Sequence, residues 1–139
     1  GGAMKANDRF GRWFGWTVVA GVLANTAGAA VGIFNPGPLV ELLDLEHPEP
    51  DFWLRLSAWL LFLLSLTYLA AAQDPYRSRY MSWLTVGCRW GGVTFVTSVV
   101  YALDLDKNYL AFALFDLVFA IPETLFLVLG FRAAAMVER

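Results

Sequence analysis

The chain has 139 residues, of which 58% are hydrophobic and 16% are charged, with a formal net charge of −2 and a mean hydropathy of +0.55. This balance lies outside the range of soluble globular domains and predicts that lipid surrounds most of the chain. The sequence has no basic stripe, which excludes a nucleic-acid partner, and its single cysteine, Cys88, excludes a disulfide framework within the chain.

Residues 1–3 precede a methionine, Met4, and are interpreted as a remnant of expression cloning. After them, four apolar runs are each long enough to cross a hydrocarbon core of about 30 Å as a helix. The runs cover residues 13–34, 52–72, 81–103 and 109–131. Because short connections make neighbouring helices antiparallel, the predicted fold class is an all-α integral membrane protein. We expect a single domain (residues 1–139) folded as an antiparallel four-helix transmembrane bundle.

The basic residues near the ends of the runs predict the orientation, because Lys and Arg there stay on the cytoplasmic side. Most of them lie at the two termini and in the connection between the second and third runs. They are Lys5, Arg9, Arg12, Arg77, Arg79, Arg132 and Arg139. The other side has Arg55 and Lys107. We therefore expect both termini in the cytoplasm, the protein in a bacterial inner membrane, and residues 35–51 and 104–108 outside.

Small residues recur every four positions in the first run and line up along one helix face. They are Ala20, Ala24, Gly28 and Gly32, and the third run repeats the spacing at Gly87 and Gly91. Such stripes let another helix approach closely in lipid. We interpret them as structural contacts, either within the chain or against a second copy, with a substrate groove as the alternative.

The connection at residues 35–51 is acidic and contains no Lys or Arg. Apolar residues flank two acids at positions 38–45, a pattern that predicts a short helix lying in the membrane interface, ended by Pro48 and Pro50. We interpret this segment as a connector that caps the bundle. The alternative is a lid or a docking surface for a partner.

Three ionisable residues, Arg89, Asp116 and Glu123, lie deep inside the runs, where a charge near the bilayer centre costs about 2.5–3.5 kcal/mol on insertion scales. Arg89 and Glu123 are each 17 positions from Asp106, so an antiparallel hairpin places them at similar depth and predicts a buried ion pair. The pair is either a structural clamp or a ligand site. In the second case Arg89 anchors an anionic headgroup or carboxylate, and Glu123 holds it until the ligand arrives.

The third residue, Asp116, lies two helical turns before Glu123, so the two acids face the same direction. We expect Asp116 to have no basic partner at its depth and therefore to be protonated and able to donate a proton. Asp116 and Glu123 are the candidate catalytic residues. The alternative is a protonated Asp116 hydrogen-bonded to a neighbour. Pro122, between the acids, predicts a kink that can open a pocket.

Polar and aromatic side chains on the other runs are candidates for the ligand-binding lining of such a pocket, although each also fits an interhelical hydrogen bond. The predicted ligand-binding residues are Arg89, Asn25, Tyr68, Trp90 and Thr97. The sequence lacks a phosphate-binding loop, a nucleophile elbow and a pair of metal ligands, so we expect no metal and no cofactor.

Four features carry a resemblance to a known family: a Gly-rich first run after Arg9-Phe10-Gly11-Arg12, the pair Asn35-Pro36, the connection Asp74-Pro75-Tyr76-Arg77, and an acid inside the last run. With them the chain resembles the DoxX-like small four-helix bacterial membrane proteins, some of which are accessory subunits of redox systems. Residues 116–122 are also similar to the acid-then-proline segment of the emopamil-binding and sigma-2 receptor group. That likeness implies sterol-like ligands or sterol isomerisation.

The function predicted first is binding of a hydrophobic or amphiphilic small molecule, or of a membrane-protein partner, through the intramembrane polar core. The first alternative is a small membrane enzyme, an isomerase or cyclase, in which Asp116 and Glu123 transfer protons on a lipid-soluble substrate. The second is a proton-linked transporter built as an oligomer. The expected partners are the lipid bilayer, the small-molecule ligand, and a second copy or another membrane protein.

Overall fold

The computed structural model describes residues 8–138, of which 83% are helical, and this part of the chain contains no strand. The all-α prediction is therefore confirmed. Residues 1–3, predicted as a cloning remnant, and the cations Lys5 and Arg139 lie outside the described residues. The helices are α1 (Arg9–Phe34), α2 (Gly37–Leu42), α3 (Phe52–Gln73), α4 (Arg79–Ala102) and α5 (Leu110–Val137), with a 3₁₀ turn at Lys107–Tyr109 before α5.

The helices begin and end where the sequence supplies capping groups and prolines. The Asp8 carboxylate accepts a hydrogen bond from the Gly11 backbone N–H at 3.0 Å, which caps the first turn of α1. Pro36 separates α1 from α2, because it has no N–H to donate to the preceding turn. Between α3 and α4 the Asp74 carboxylate accepts from the backbone N–H groups of Tyr76 and Arg77, both at 3.1 Å. These bonds form a tight turn that connects the two helices.

In the described part of the chain, three helical segments are long and apolar enough to cross a membrane. They are Arg9–Phe34, Phe52–Gln73 and Lys107–Val137. The remaining long helix, α4, has 24 residues and thus sufficient length. It is less apolar because it combines Arg89 with many glycine, serine and threonine residues. Four spans therefore remain a prediction, whereas three span-compatible helices are observed.

The long helices pack around a shared core, with α1 against α3 and α5, and α4 against α5 and α3. Each contributes buried side chains to one apolar cluster. Its members are Phe14, Val18, Val22, Tyr68, Ala71, Val86 and Leu127. Large apolar side chains also cover the outer surface, among them Trp16 (72% exposed) and Phe34 (81% exposed). Such an outward apolar surface suits lipid rather than water.

Close helix approach within the chain uses glycines different from most of those in the predicted stripes. A Cβ added at Gly15 would lie 2.6 Å from the Ala72 carbonyl oxygen, and one at Gly32 would lie 2.9 Å from the Ala58 Cβ. These two glycines let α1 and α3 meet. By contrast, Gly28, Gly87 and Gly91 have no neighbour within 4 Å of such a Cβ. Of the two options left open for the stripes, contact within the chain is observed for Gly32, whereas contact of the other three with a second copy stays a prediction.

The acidic connection contains the short helix predicted for it, since α2 (Gly37–Leu42) falls within that segment and buries Val40. At this end of the molecule the Arg55 guanidinium donates to the Ile33 carbonyl and to the Asp51 carboxylate, which ties the start of α3 to the end of α1. The bond from Arg55 holds the pKa of Asp51 below its ordinary value. Asn108 donates to the Asp44 carbonyl at 3.4 Å, so the two connections predicted to lie outside contact each other.

Candidate functional site

A group of polar side chains meets in the interior of the fold, and we refer to Asn25, Ser65, Arg89, Asp116 and Glu123 as the polar cluster. Arg89, on α4, is 2% exposed and occupies the centre. Its Nη1 donates to Asp116 Oδ1 at 3.0 Å and to Asn25 Oδ1 at 3.2 Å. Its Nε lies 3.9 Å from Glu123 Oε1. A single guanidinium thus faces two acids of α5 and an amide of α1.

The polar cluster extends to α3 through the Asn25 amide. Asn25 Nδ2 donates to Ser65 Oγ at 2.9 Å, and Ser65 Oγ donates in turn to the Leu61 carbonyl at 2.8 Å. Asn25 is 1% exposed and Ser65 is fully buried. All four long helices therefore contribute a polar group to one connected network, an arrangement in which each hydrogen bond helps to orient the next.

Two aromatic rings enclose the guanidinium. The Arg89 Cζ lies 5.5 Å from the centroid of the Tyr68 ring and 5.0 Å from that of Phe119. Rings at these distances attract a cation electrostatically, and the attraction is stronger where water is excluded. Tyr68, a predicted binding residue, is therefore placed beside Arg89. Phe119 was not among the predicted site residues.

Two glycines provide the space that the charged groups occupy. A Cβ added at Gly21 on α1 would lie 2.5 Å from Arg89 Nη2, and one at Gly92 on α4 would overlap the Asp116 carboxylate. Neither glycine belonged to the predicted stripes of small residues, which recur every four positions. The sequence signal for Gly92 was its position three residues after Arg89, on the same face of α4.

Glu123 is fully enclosed in the polar cluster, as Ser65 is. It is 0% exposed, and among the described residues neither carboxylate oxygen has a hydrogen-bond partner. The same holds for Arg89 Nε and Nη2. Buried polar atoms are nearly always hydrogen-bonded, so these atoms of Arg89 and Glu123 are the donors and acceptors of the cluster that are free to bond a ligand. The Asp116 side chain, at 23% exposed, is the member of the cluster that the surface reaches.

The structure corrects one expectation and confirms another. Asp116 was expected to lack a basic partner, which is wrong, because Arg89 donates to it at 3.0 Å. The depth argument compared backbone positions and neglected the length of the Arg89 side chain and the gap that Gly92 leaves. The ion pair of Arg89 with Glu123 is confirmed, at 3.9 Å, and is the longer of the two carboxylate contacts.

Two predicted binding residues lie away from the polar cluster. Trp90 is 39% exposed, and its Nε1 donates to Thr124 Oγ1 at 2.8 Å, which joins α4 to α5 on the outer side of the site. Thr97 lies about two turns beyond Arg89 on α4, half-buried, and makes no hydrogen bond to a member of the cluster. Pro122 lies within α5, which is helical on both sides of it.

No group of three or more possible metal ligands occurs within residues 8–138. The polar cluster offers hydrogen bonding and charge, supplied by one guanidinium and two carboxyl groups beside aromatic rings. No family model, curated protein or solved structure matches the chain.

Proposed function

We propose that this chain is a multi-pass inner-membrane protein that binds the polar group of a lipid-soluble small molecule at the polar cluster. In this proposal α1, α3, α4 and α5 cross the bilayer antiparallel, with both termini in the cytoplasm. Three span-compatible helices support it. The contact between Asn108 and Asp44 also supports it, because it joins the two connections assigned to the outer side. The excess of Arg at the other end favours the cytoplasm there.

The observation that carries the proposal is the pairing of unsatisfied donors on Arg89 with unsatisfied acceptors on Glu123, both buried. A hydroxyl group donates one hydrogen bond and accepts others, so it can satisfy both side chains at once. The gain is large in a buried site, where an unmade bond to a charged group is costly. The proposed way in from the surface passes Asp116, whose side chain is 23% exposed.

Charge decides which class of ligand suits the site. Arg89 already faces two acids, so a ligand carboxylate adds a further negative charge to a buried group. A protonated amine carries only donors and therefore has no acceptor for the free Arg89 N–H groups. We therefore propose an uncharged amphiphilic alcohol, such as a sterol or a long-chain alcohol, rather than the anionic headgroup suggested by Arg89 alone.

The test compares three probes of equal chain length, hexadecanol, palmitate and hexadecylamine, added to the purified protein in detergent. A ligand that binds only the folded state raises the Tm, and the rise grows with its concentration. We expect hexadecanol to raise the Tm and the other two probes to have little effect. Glu123→Leu removes the acceptors and should abolish the rise, whereas Glu41→Leu, the same change at an exposed position, should retain it.

A larger rise with palmitate or hexadecylamine would contradict the choice of an alcohol. If hexadecanol raised the Tm of Glu123→Leu as much as that of the unmodified protein, the assignment of the binding site to the polar cluster would be contradicted.

The two acids held by one guanidinium also favour a second candidate, proton transfer on a lipid-soluble substrate by an isomerase or cyclase. In this version Asp116, which the surface reaches, exchanges the proton, and Glu123 acts from the interior. The variant Asp116→Asn keeps the shape of the side chain. It should abolish turnover in an enzyme but leave alcohol binding within a few-fold of the unmodified protein in a binding protein.

A further inference from the structure

A second feature lies apart from the polar cluster, at the basic end of the molecule. A shallow, open hollow on the surface lies between α1 and α5 and is lined by Trp13, Trp16, Thr17 and Phe126. We refer to it as the aromatic cleft. The Trp13 and Phe126 rings meet edge to face, with centroids 5.4 Å apart, and form its inner wall. Trp16 is 72% exposed and forms its outer edge.

The interior of the aromatic cleft is apolar. The hydroxyl group of Thr17, the one polar side chain besides the indole groups, donates to the Trp13 carbonyl at 2.8 Å within α1. Its proton is therefore already used within α1 and is not offered to a ligand. Such a lining suits a hydrocarbon chain better than a headgroup.

Positive charge lies at the end of the aromatic cleft nearest the start of α1. Arg9, Arg12, Trp13 and Trp16 follow the spacing i, i+3, i+4 and i+7, which places all four on one face of the helix. The Arg9 guanidinium lies 5.0 Å from the Phe10 ring centroid and 5.7 Å from that of Trp13, so it is held above the aromatic wall. The nearby acid, Asp8, is engaged in capping α1 at Gly11.

We propose that the aromatic cleft binds one anionic phospholipid of the surrounding leaflet. Its acyl chain lies between Trp16 and Phe126, and its phosphate pairs with Arg9 and Arg12. Charge complementarity selects the occupant, because a zwitterionic lipid offers the same hydrocarbon chain without the net negative charge. Basic residues at a membrane surface each contribute a several-fold preference for anionic lipid, so the two together give a preference of about tenfold or more.

The test uses tryptophan fluorescence, which bromine atoms on a neighbouring acyl chain quench. The full-length protein is placed in phosphatidylcholine nanodiscs that contain the same small fraction of either brominated phosphatidylglycerol or brominated phosphatidylcholine. We expect stronger quenching by the brominated phosphatidylglycerol. The excess should vanish in Trp13→Phe/Trp16→Phe and persist in Trp53→Phe, an exposed tryptophan at the start of α3.

A charge-matched pair of variants separates a built site from general attraction of the basic end. Arg9→Gln/Arg12→Gln should remove the excess quenching. Arg77→Gln/Arg132→Gln removes the same charge from exposed positions outside the aromatic cleft and should retain it. Equal quenching of the unmodified protein by the two lipids would overturn the proposal. It would also be overturned if the two double variants lost the excess quenching to the same extent. The first of these outcomes does not depend on any variant being folded.

Discussion

Replacing the two acids of the polar cluster by leucine, one at a time, should have different effects on stability. Asp116 accepts a hydrogen bond from Arg89 at 3.0 Å, whereas Glu123 is 3.9 Å from Arg89 and accepts none. A hydrogen bond to a charged group contributes about 1.5–3 kcal/mol, so Asp116→Leu should lower the free energy of unfolding by about that amount. Glu123→Leu should leave it unchanged or raise it, because it removes a buried carboxyl group while Arg89 keeps Asp116 as its partner.

The assay is reversible unfolding by sodium dodecyl sulfate in mixed micelles, followed by circular dichroism, with ligand-free protein. The double variant Asp116→Leu/Glu123→Leu leaves Arg89 without either acid. Its free energy of unfolding should therefore fall by about 3–5 kcal/mol, which is more than the sum of the effects of the two single substitutions. If Glu123→Leu lowers the free energy of unfolding by as much as Asp116→Leu does, Glu123 is a structural partner of Arg89. The reasoning that it is kept for a ligand would then be refuted.

Three further changes test the contacts around the polar cluster. Gly92→Ala places a methyl group where the Asp116 carboxylate lies and should lower the unfolding free energy by about 1–3 kcal/mol, whereas the neighbouring change Gly91→Ala, which meets nothing within 4 Å, should not. Arg55→Gln removes the bonds to the Ile33 carbonyl and Asp51 and should lose about 1 kcal/mol, measured by the same unfolding assay. Trp90→Phe breaks the bond to Thr124 and should lose about 0.5–1.5 kcal/mol, with no change in alcohol binding.

The helices were predictable because they rest on hydrophobicity and length, which are local properties of the sequence. The four predicted runs overlap α1, α3, α4 and α5, although α1 begins at Arg9 rather than at residue 13 and α5 ends at Val137 rather than at residue 131. The short helix α2 follows from the apolar residues around Glu41. The helix boundaries follow from local groups such as Asp8 and Pro36. The topology in the membrane and the resemblance to DoxX-like proteins stay predictions. So does the oligomeric transporter.

The site was predictable only in part, because it depends on the rotation and spacing of helices. The cost of intramembrane charge identified Arg89, Asp116 and Glu123, and the structure brings these three together with Asn25 and Tyr68. Which acid lies closer to Arg89 depends on side-chain reach, which equal spacing along the backbone does not describe. It was difficult to predict which glycines contact a neighbouring helix, for a related reason. A stripe shows that helices can approach closely, but only the helix rotation decides which glycine meets a neighbour.

The most direct test of alcohol binding at the polar cluster is to map where a photoactivatable long-chain alcohol, with a diazirine beside the hydroxyl group, attaches to the protein in nanodiscs. Peptide mass spectrometry should find saturable labelling on α4 and α5 close to Arg89 and Glu123. Unlabelled hexadecanol should compete with it, and Glu123→Leu should abolish it. Labelling that does not saturate, is spread over the exposed faces of α1 and α3, and is unchanged in Glu123→Leu would contradict the account.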